Sequence, residues 1–347
     1  MISGGKPYSL QPVCFCGSGK RYGDCHGLLW QTDREKYAAI RAFMLANRQL
    51  IHVVPGTAPG SLHGRQLVYV HIPKSGGTTL DRILVAIARK YELDRFRVRG
   101  TVYGQFMGSG KEDVLDYLAA ANQSKLASAA ILSGHVPALF WEPSIDGRRA
   151  AYTTILRDPV ERTMSHYLFG VGRGGWSSET SIENLVHSRQ LLDNLQVRML
   201  AGSADGREPC SQAMLERALA NLETRFALVG VSDRFDQFLA ALLTLYGWPD
   251  IIYSRYNVGN TRLPEARQAA LRTEASAFNT FDAALLARVR EHGEVWINRV
   301  EAATPPPRSH ELIVPLAKEG KFACFSRDEI SSLIRIANES NCELTHA

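Results

Sequence analysis

The chain has 347 residues, of which 45% are hydrophobic, 9% aromatic and 22% charged, with a formal net charge of +5. That length suits one large α/β domain with appendages, the composition argues against a disordered chain, and six cysteines at this length do not suggest a disulfide scaffold. No apolar run approaches the ~20 residues that span a bilayer and the first residues lack a signal-peptide core, so a cytoplasmic protein without a transmembrane segment is expected.

The charge is uneven: residues 1–65 hold eight Lys+Arg against three Asp+Glu, and the remainder holds thirty-two of each. A basic N-terminal region of this size reads as a solvated face, and no nucleic-acid partner is expected. Within it, Cys14-Phe15-Cys16 and, after eight residues, Cys25-His26 place three thiols and an imidazole on one short loop. Such a set suits a closed tetrahedral zinc site, which folds a segment too small for a core of its own. Cys210, Cys324 and Cys342 are scattered and read as reduced thiols. The segment from Cys14 to His26 resembles the SEC-C motif, C-x-C-G-S-G-K-x-Y-x-x-C-H. The resemblance implies a structural zinc knuckle with ligands Cys14, Cys16, Cys25 and His26, used as an interaction device toward a protein partner.

From Asp33 the pattern turns helical, with Tyr37, Ile40, Phe43, Met44, Leu50 and Ile51 near one face and Asp33 placed to cap. Pro55-Gly56 through Pro59-Gly60-Ser61 reads as a linker. The next stretch organises the chain. The apolar run Leu67 to Val70 stops at Pro73-Lys74-Ser75-Gly76-Gly77-Thr78-Thr79, and an amphipathic segment with Leu80, Ile83, Leu84 and Ile87 follows. This is the order strand, phosphate loop, helix: two glycines let backbone N–H groups close on an anion, the helix aims its positive end at the same place, and Lys74 adds a full charge. Walker A is excluded, because there the lysine follows the glycines and here Lys74 precedes them.

Arg95 to Lys111 reads as irregular, and Ala129 to Ser133 as a short buried strand ending at Gly134-His135. A histidine just beyond a strand's carboxyl end sits where open α/β sheets place ligands. Ala151 to Leu156 is a third strand, running into Arg157-Asp158-Pro159-Val160-Glu161. Asp158 at the N-cap, Pro159 at N1 and Glu161 at N3 make a strong helix start. Ser165 lies two turns further on. Gln196 and Arg198 sit in an apolar stretch where they either face a pocket or pack. Phe226 to Val231 is a fourth strand, followed by a helix with core face Phe235, Phe238, Leu239 and Leu242. Asn257 to Arg262 reads as a loop, helical patterns run from Pro264 to Val300, and Pro305-Pro306-Pro307 ends the domain before a short tail with a capping box at Ser326 and Glu329.

HIPKSGGTTL resembles the 5′-phosphosulfate loop of sulfotransferases that use 3′-phosphoadenosine 5′-phosphosulfate (PAPS). LRDPVERTMSHY resembles their 3′-phosphate element, and SGHVPALF the Gly-His-Val region of the carbohydrate branch that includes heparan sulfate 2-O-sulfotransferases, here of bacterial type. The resemblance implies an α/β fold with a three-layer, P-loop-like parallel sheet flanked by helices and a small N-terminal zinc knuckle. It implies that Lys74, Ser75, Gly76, Gly77, Thr78 and Thr79 hold the 5′ end of PAPS, Arg157 and Ser165 the 3′-phosphate, and Arg262 a closing loop. His135 is implied as the base. Related chains often carry a further histidine two residues before it, where this chain has Ser133. The expected reaction moves a sulfuryl group to a hydroxyl on a glycan or glycolipid and releases adenosine 3′,5′-bisphosphate. An ATP-dependent kinase with Asp158 on magnesium and a silent nucleotide-binding adaptor are the alternatives. The expected division is a zinc module at 1–30, a connecting helix and linker at 31–64, the transferase domain at 65–303 and an appendage at 304–347.

Overall fold

The computed structural model describes residues 33–47, 51–54, 62, 64–98, 123–145, 150–203, 208–254, 261–293, 295–297, 311–316, 322–326, 329 and 345–346. The zinc-module residues Cys14, Cys16, Cys25 and His26 lie outside them, as do Cys342 and the loop 255–260.

The strands are β1 (Ile51–Val54), β2 (Gln66–Val70), β3 (Arg95–Val98), β4 (Ile131–Gly134), β5 (Ala150–Leu156), β6 (Phe226–Val231), β7 (Asp250–Ser254), β8 (Trp296–Ile297), β9 (Glu311–Pro315), β10 (Phe322–Ser326) and β11 (Thr345–His346). The helices are α1 (Asp33–Ala46), α2 (Gly77–Lys90), α3 (Gln123–Ser128), α4 (Pro159–Gly172), α5 (Ile182–His187), α6 (Leu195–Ala201), α7 (Gln212–Arg225), α8 (Phe235–Tyr246), α9 (Glu265–Ala277) and α10 (Thr280–Glu291). A 3₁₀ turn covers Ala138–Ser144.

The fold is α/β, built on a six-stranded sheet in the order β3-β4-β2-β5-β6-β8. Every neighbouring pair is parallel except β6 with β8. Its central strands are buried on both faces, as parallel strands covered by helices must be. Alternation along β2 divides the core: Val68 and Val70 join one cluster with α6, α7 and α10, while Leu67 and Tyr69 join another with α2 and α8. These are the helical layers on the two sides of the sheet.

A second sheet, ordered β10-β9-β7-β1-β11, lies beyond α2 and α8. Ile40, Phe43 and Met44 of α1 pack with Ile252, Leu312, Val314 and Phe325 on its outer side. Here the structure differs from the sequence reading. Helix α1 stops at Ala46, and Ile51–Val54, expected at the end of that helix and in the linker, pairs antiparallel with β7. In the tail 304–347, β9 pairs parallel with β7 and antiparallel with β10. Trp296–Ile297, expected as helix, adds a short strand beside β6, and Arg95–Val98, expected as irregular, forms β3 beside β4. Each of these strands is short and, the β9–β10 hairpin apart, pairs with a partner remote in sequence, so local periodicity carries little trace of it.

Among the described residues no helix is long and apolar enough to cross a membrane.

Candidate functional site

The three adjacent strands β4, β2 and β5 end together, and each hands over one candidate: Gly134-His135 after β4, Lys74 and its loop after β2, Arg157 after β5. From β2 the chain leaves toward β3 and from β5 toward β6, on opposite sides. This divergence opens the crevice in which open α/β sheets hold ligands.

The loop after β2 has the backbone of an anion cradle. Lys74 and Gly76 both take positive φ, 68° and 86°, so the chain turns sharply before α2 begins at Gly77. Gly77 is obligatory for another reason: a Cβ there would overlap the imidazole of His71. Ser75 is fully buried and its hydroxyl has no hydrogen-bond partner. Thr79 is buried and donates its N–H to the Gly76 carbonyl at 3.1 Å. An orphaned hydroxyl, a left-handed glycine and a helix N-terminus in one loop fit an anionic group.

Helix α4 starts as its sequence requires. Asp158 accepts the N–H of Glu161 at 3.0 Å and Pro159 opens the first turn, a cap worth about 1 kcal/mol. The helix then presents Glu161, Ser165, Phe169 and Arg173 at four-residue intervals to a cavity of about 390 Å³. Lys74, Arg157, Thr261, Gln268 and Arg272 complete its polar wall. Lys74 and Arg157 are joined directly, the Arg157 guanidinium donating to the Lys74 carbonyl at 3.0 Å. Burial lowers the affinity of both side chains for their protons, and for Lys74 the nearby Arg157 and Arg173 push the same way. Glu161 is held below the usual carboxylate range by its hydrogen bond with Arg272. The cavity therefore carries Lys74, Arg157, Arg173 and Arg272 against the carboxylate of Glu161, an excess of positive charge waiting for an anion.

Residues 13–28 match the SEC-C motif. The four expected zinc ligands fall within that span. No curated protein sequence matches the chain. Among solved structures it is similar to a sulfotransferase from Alicyclobacillus acidocaldarius, at 20% identity over 65% of this chain and 96% of that one, with a TM-score of 0.33. It is also similar to retinol dehydratase in a complex with retinol and PAP, at 11% identity over 84% of this chain and 85% of that one, with a TM-score of 0.28.

His135 stands beside this cavity, close enough for the charge of Lys74 to act on it. Its Nδ1 lies 2.8 Å from the His71 carbonyl, which can only accept, so the proton is on Nδ1 and the Nε2 lone pair is free. Burial holds the ring neutral, lowering its pKa below the ordinary histidine value against the hydrogen bond to His71. The imidazole of His71 lies against it, 4.1 Å between centroids, and is itself buried and strongly disfavoured as a cation. Where the sequence has Ser133 in place of a second histidine, the neighbouring strand thus supplies one. Ser133 itself accepts from Arg95 at 3.2 Å.

Of the expected residues, Lys74, Arg157 and Ser165 share one cavity, while Ser75 to Thr79 form the loop beneath it and His135 sits at its side. Arg262 is exposed and outside the lining, which its neighbour Thr261 joins. Gln196 and Arg198 are both buried and engaged in holding structure. Gln196 accepts the Arg157 N–H and donates to the Arg157 carbonyl, both at 2.9 Å, and Arg198 binds Asp193 and the Glu208 carbonyl. Sequence reasoning passed over Phe169, Arg173, Arg272 and His71. The spacing of Phe169 and Arg173, four and eight residues after Ser165, put them on its helix face. Arg272 and His71 carry no comparable local signal.

Proposed function

We propose that the chain is a PAPS-dependent sulfotransferase acting on a hydroxyl acceptor, best read as a carbohydrate, with a structural zinc knuckle at its N-terminus. The observation that carries this reading is the convergence of Lys74, from one motif, with Arg157 and Ser165, from another more than eighty residues away, on the wall of one cationic cavity. The donor would supply an activated sulfuryl group on a phosphate. This chain's residues would do the rest. The loop from Ser75 to Thr79 would receive the 5′-phosphate through backbone N–H groups and the orphaned Ser75 hydroxyl. Lys74 would neutralise charge as the sulfur–oxygen bond to that phosphate breaks. Arg157 and Ser165 would hold the 3′-phosphate, the group that separates PAPS from ATP. His135 Nε2 would take the proton from the acceptor hydroxyl as the new oxygen–sulfur bond forms.

Asp158 bears on the kinase alternative. Its carboxylate is spent on the N–H of Glu161 as a helix cap, which leaves it poorly placed to hold magnesium. Cys14, Cys16, Cys25 and His26 offer four ligands to zinc and so no open position for a catalytic water, which suits a structural and partner-binding part.

Thermal stability tests the reading. Adenosine 3′,5′-bisphosphate without metal at a hundred times its Kd is expected to stabilise the wild type by about 2.7 kcal/mol. ATP with magnesium should do little, and Arg157→Ala should lose the effect. Stabilisation by ATP with magnesium alone overturns the assignment.

A further inference from the structure

Phe169 is 43% exposed at the wall of the cationic cavity, and its ring is faced by two cations. Lys74 Nζ lies 4.2 Å from the ring centroid and the guanidinium carbon of Arg173 4.6 Å from it. Two cations drawn to one spot repel each other unless something between them is negative. An aromatic face is, through its quadrupole, and the attraction strengthens as the contact loses water. Phe169 lies in the last turn of α4, Arg173 four residues on caps its C-terminus, and Lys74 reaches them from the loop after β2. The ring therefore ties the helix that carries Ser165 to the lysine of the phosphate loop.

The geometry points to Phe169 as a positioning residue that holds Lys74 and Arg173 against its ring at the cavity wall, with Arg173 as a further ligand for the phosphate or sulfuryl oxygens of the donor. The identity of that anion rests on the sulfotransferase reading; the cation pair does not. A freely moving Lys74 and a surface Arg173 would each lose rotamer freedom when an anion binds. Parked on the ring beforehand, they lose less, and the anion meets two charges already converged.

Calorimetric titration with adenosine 3′,5′-bisphosphate, and separately with inorganic pyrophosphate, tests this. Phe169→Leu keeps the bulk and removes the quadrupole, and should weaken both anions about tenfold, within the range of one or two such contacts. Phe169→Trp should restore binding. Arg173→Gln should weaken binding by a similar factor, and the double variant should fall short of the product of the two losses, since the residues act as a unit. Both side chains are exposed, so the variants are expected to melt as the wild type does. Wild-type affinity in Phe169→Leu, no recovery in Phe169→Trp, or fully additive losses overturn the proposal. If the wild type binds pyrophosphate and ignores the bisphosphate, the nucleotide reading falls and the pyrophosphate cycle decides the cation pair. If it binds neither, both fall.

Discussion

His135 donates its Nδ1–H to the backbone carbonyl of His71 at 2.8 Å, while the two imidazoles lie 4.1 Å apart. The bond fixes both the tautomer and the direction of the reactive nitrogen. Because burial lowers the pKa of His135 below the ordinary histidine value of ~6.5, the ring is already unprotonated near neutrality, as the proposed base must be. A rate that needs neutral His135 rises with pH through that lowered pKa and is level above it. The acid limb of kcat/KM for sulfuryl transfer should therefore lie below about pH 6.5, and the Cε1–H resonance of His135 should titrate with it. His135→Ala should abolish transfer and leave bisphosphate binding intact. A limb at or above the ordinary histidine value, or loss of nucleotide binding in His135→Ala, removes the residue from the role of base.

The same histidine pair explains why Gly77 tolerates no side chain. The His71 ring occupies the space a Cβ would need, and the Tyr69 hydroxyl crowds it further. Gly77→Ala must displace the ring or the start of α2, an overpacking that costs typically 1–3 kcal/mol. Urea unfolding should show that loss as a lower midpoint at unchanged slope. Transfer should fall more steeply than stability, because moving His71 moves the carbonyl that orients His135. Gly77→Ala with wild-type stability would falsify the packing described.

Gln196 clamps the backbone of Arg157 from both sides, accepting its N–H and donating to its carbonyl. Asp282 in turn accepts the N–H groups of Gln196 and Val197 at 3.1 and 2.8 Å, so α10 anchors the start of α6 and through it the cavity wall. Gln196→Leu takes a partner from two half-buried peptide groups, where a fully buried one would cost about 1–3 kcal/mol. It should lower stability by that order and weaken adenosine 3′,5′-bisphosphate about tenfold, whereas Gln196→Glu, which can still accept from the Arg157 N–H, should lose less. Bisphosphate affinity unchanged in Gln196→Leu would mean that β5 and the bond to the Lys74 carbonyl place Arg157 unaided.

Much of this site was legible before any coordinates. The strand, glycine loop and helix around Lys74, and the Asp158-Pro159 cap, rest on rules that act within a few residues. They placed Lys74, Arg157 and His135 at strand ends and Ser165 on the helix that follows. What escaped depends on contacts between distant parts of the chain. His71 looks like any polar residue at a strand end until β4 brings His135 against it. Arg272 belongs to the cavity because α9 packs on α4, and Gln196 supports its wall because α6 brings it to the Arg157 backbone. The second sheet escaped for the same reason, since β7 takes its partners from both ends of the chain, β1 and β9.

Three histidines, His71 buried and His135 and His166 half-buried, give the fold an acid-sensitive flank. His71, His135 and His166 are all disfavoured as cations, chiefly by burial, and for His166, whose Nδ1 has no hydrogen-bond partner, the pKa is pushed down to about 3. Released into water, each takes a proton near pH ~6.5, so below that value the unfolded chain binds protons the native one refuses. Stability is then fully present above about pH 6.5 and declines as pH falls toward the native values, by up to about 1.4 kcal/mol per pH unit for each histidine involved. Glu161, held low by Arg272, contributes in the same direction only where an unfolded glutamate begins to protonate, near pH ~4.3. The window from pH 7 to 5 lies above the Glu161 range, and within it, among the described residues, only Asp282, whose pKa burial raises, opposes the histidines where it titrates. Urea unfolding across it should show a falling free energy with uptake of up to about three protons, and His166→Gln should reduce the uptake by about one. A flat profile between pH 7 and 5.5 would mean that these rings are solvated in the native protein, and with them the neutral base assigned to His135 would be lost.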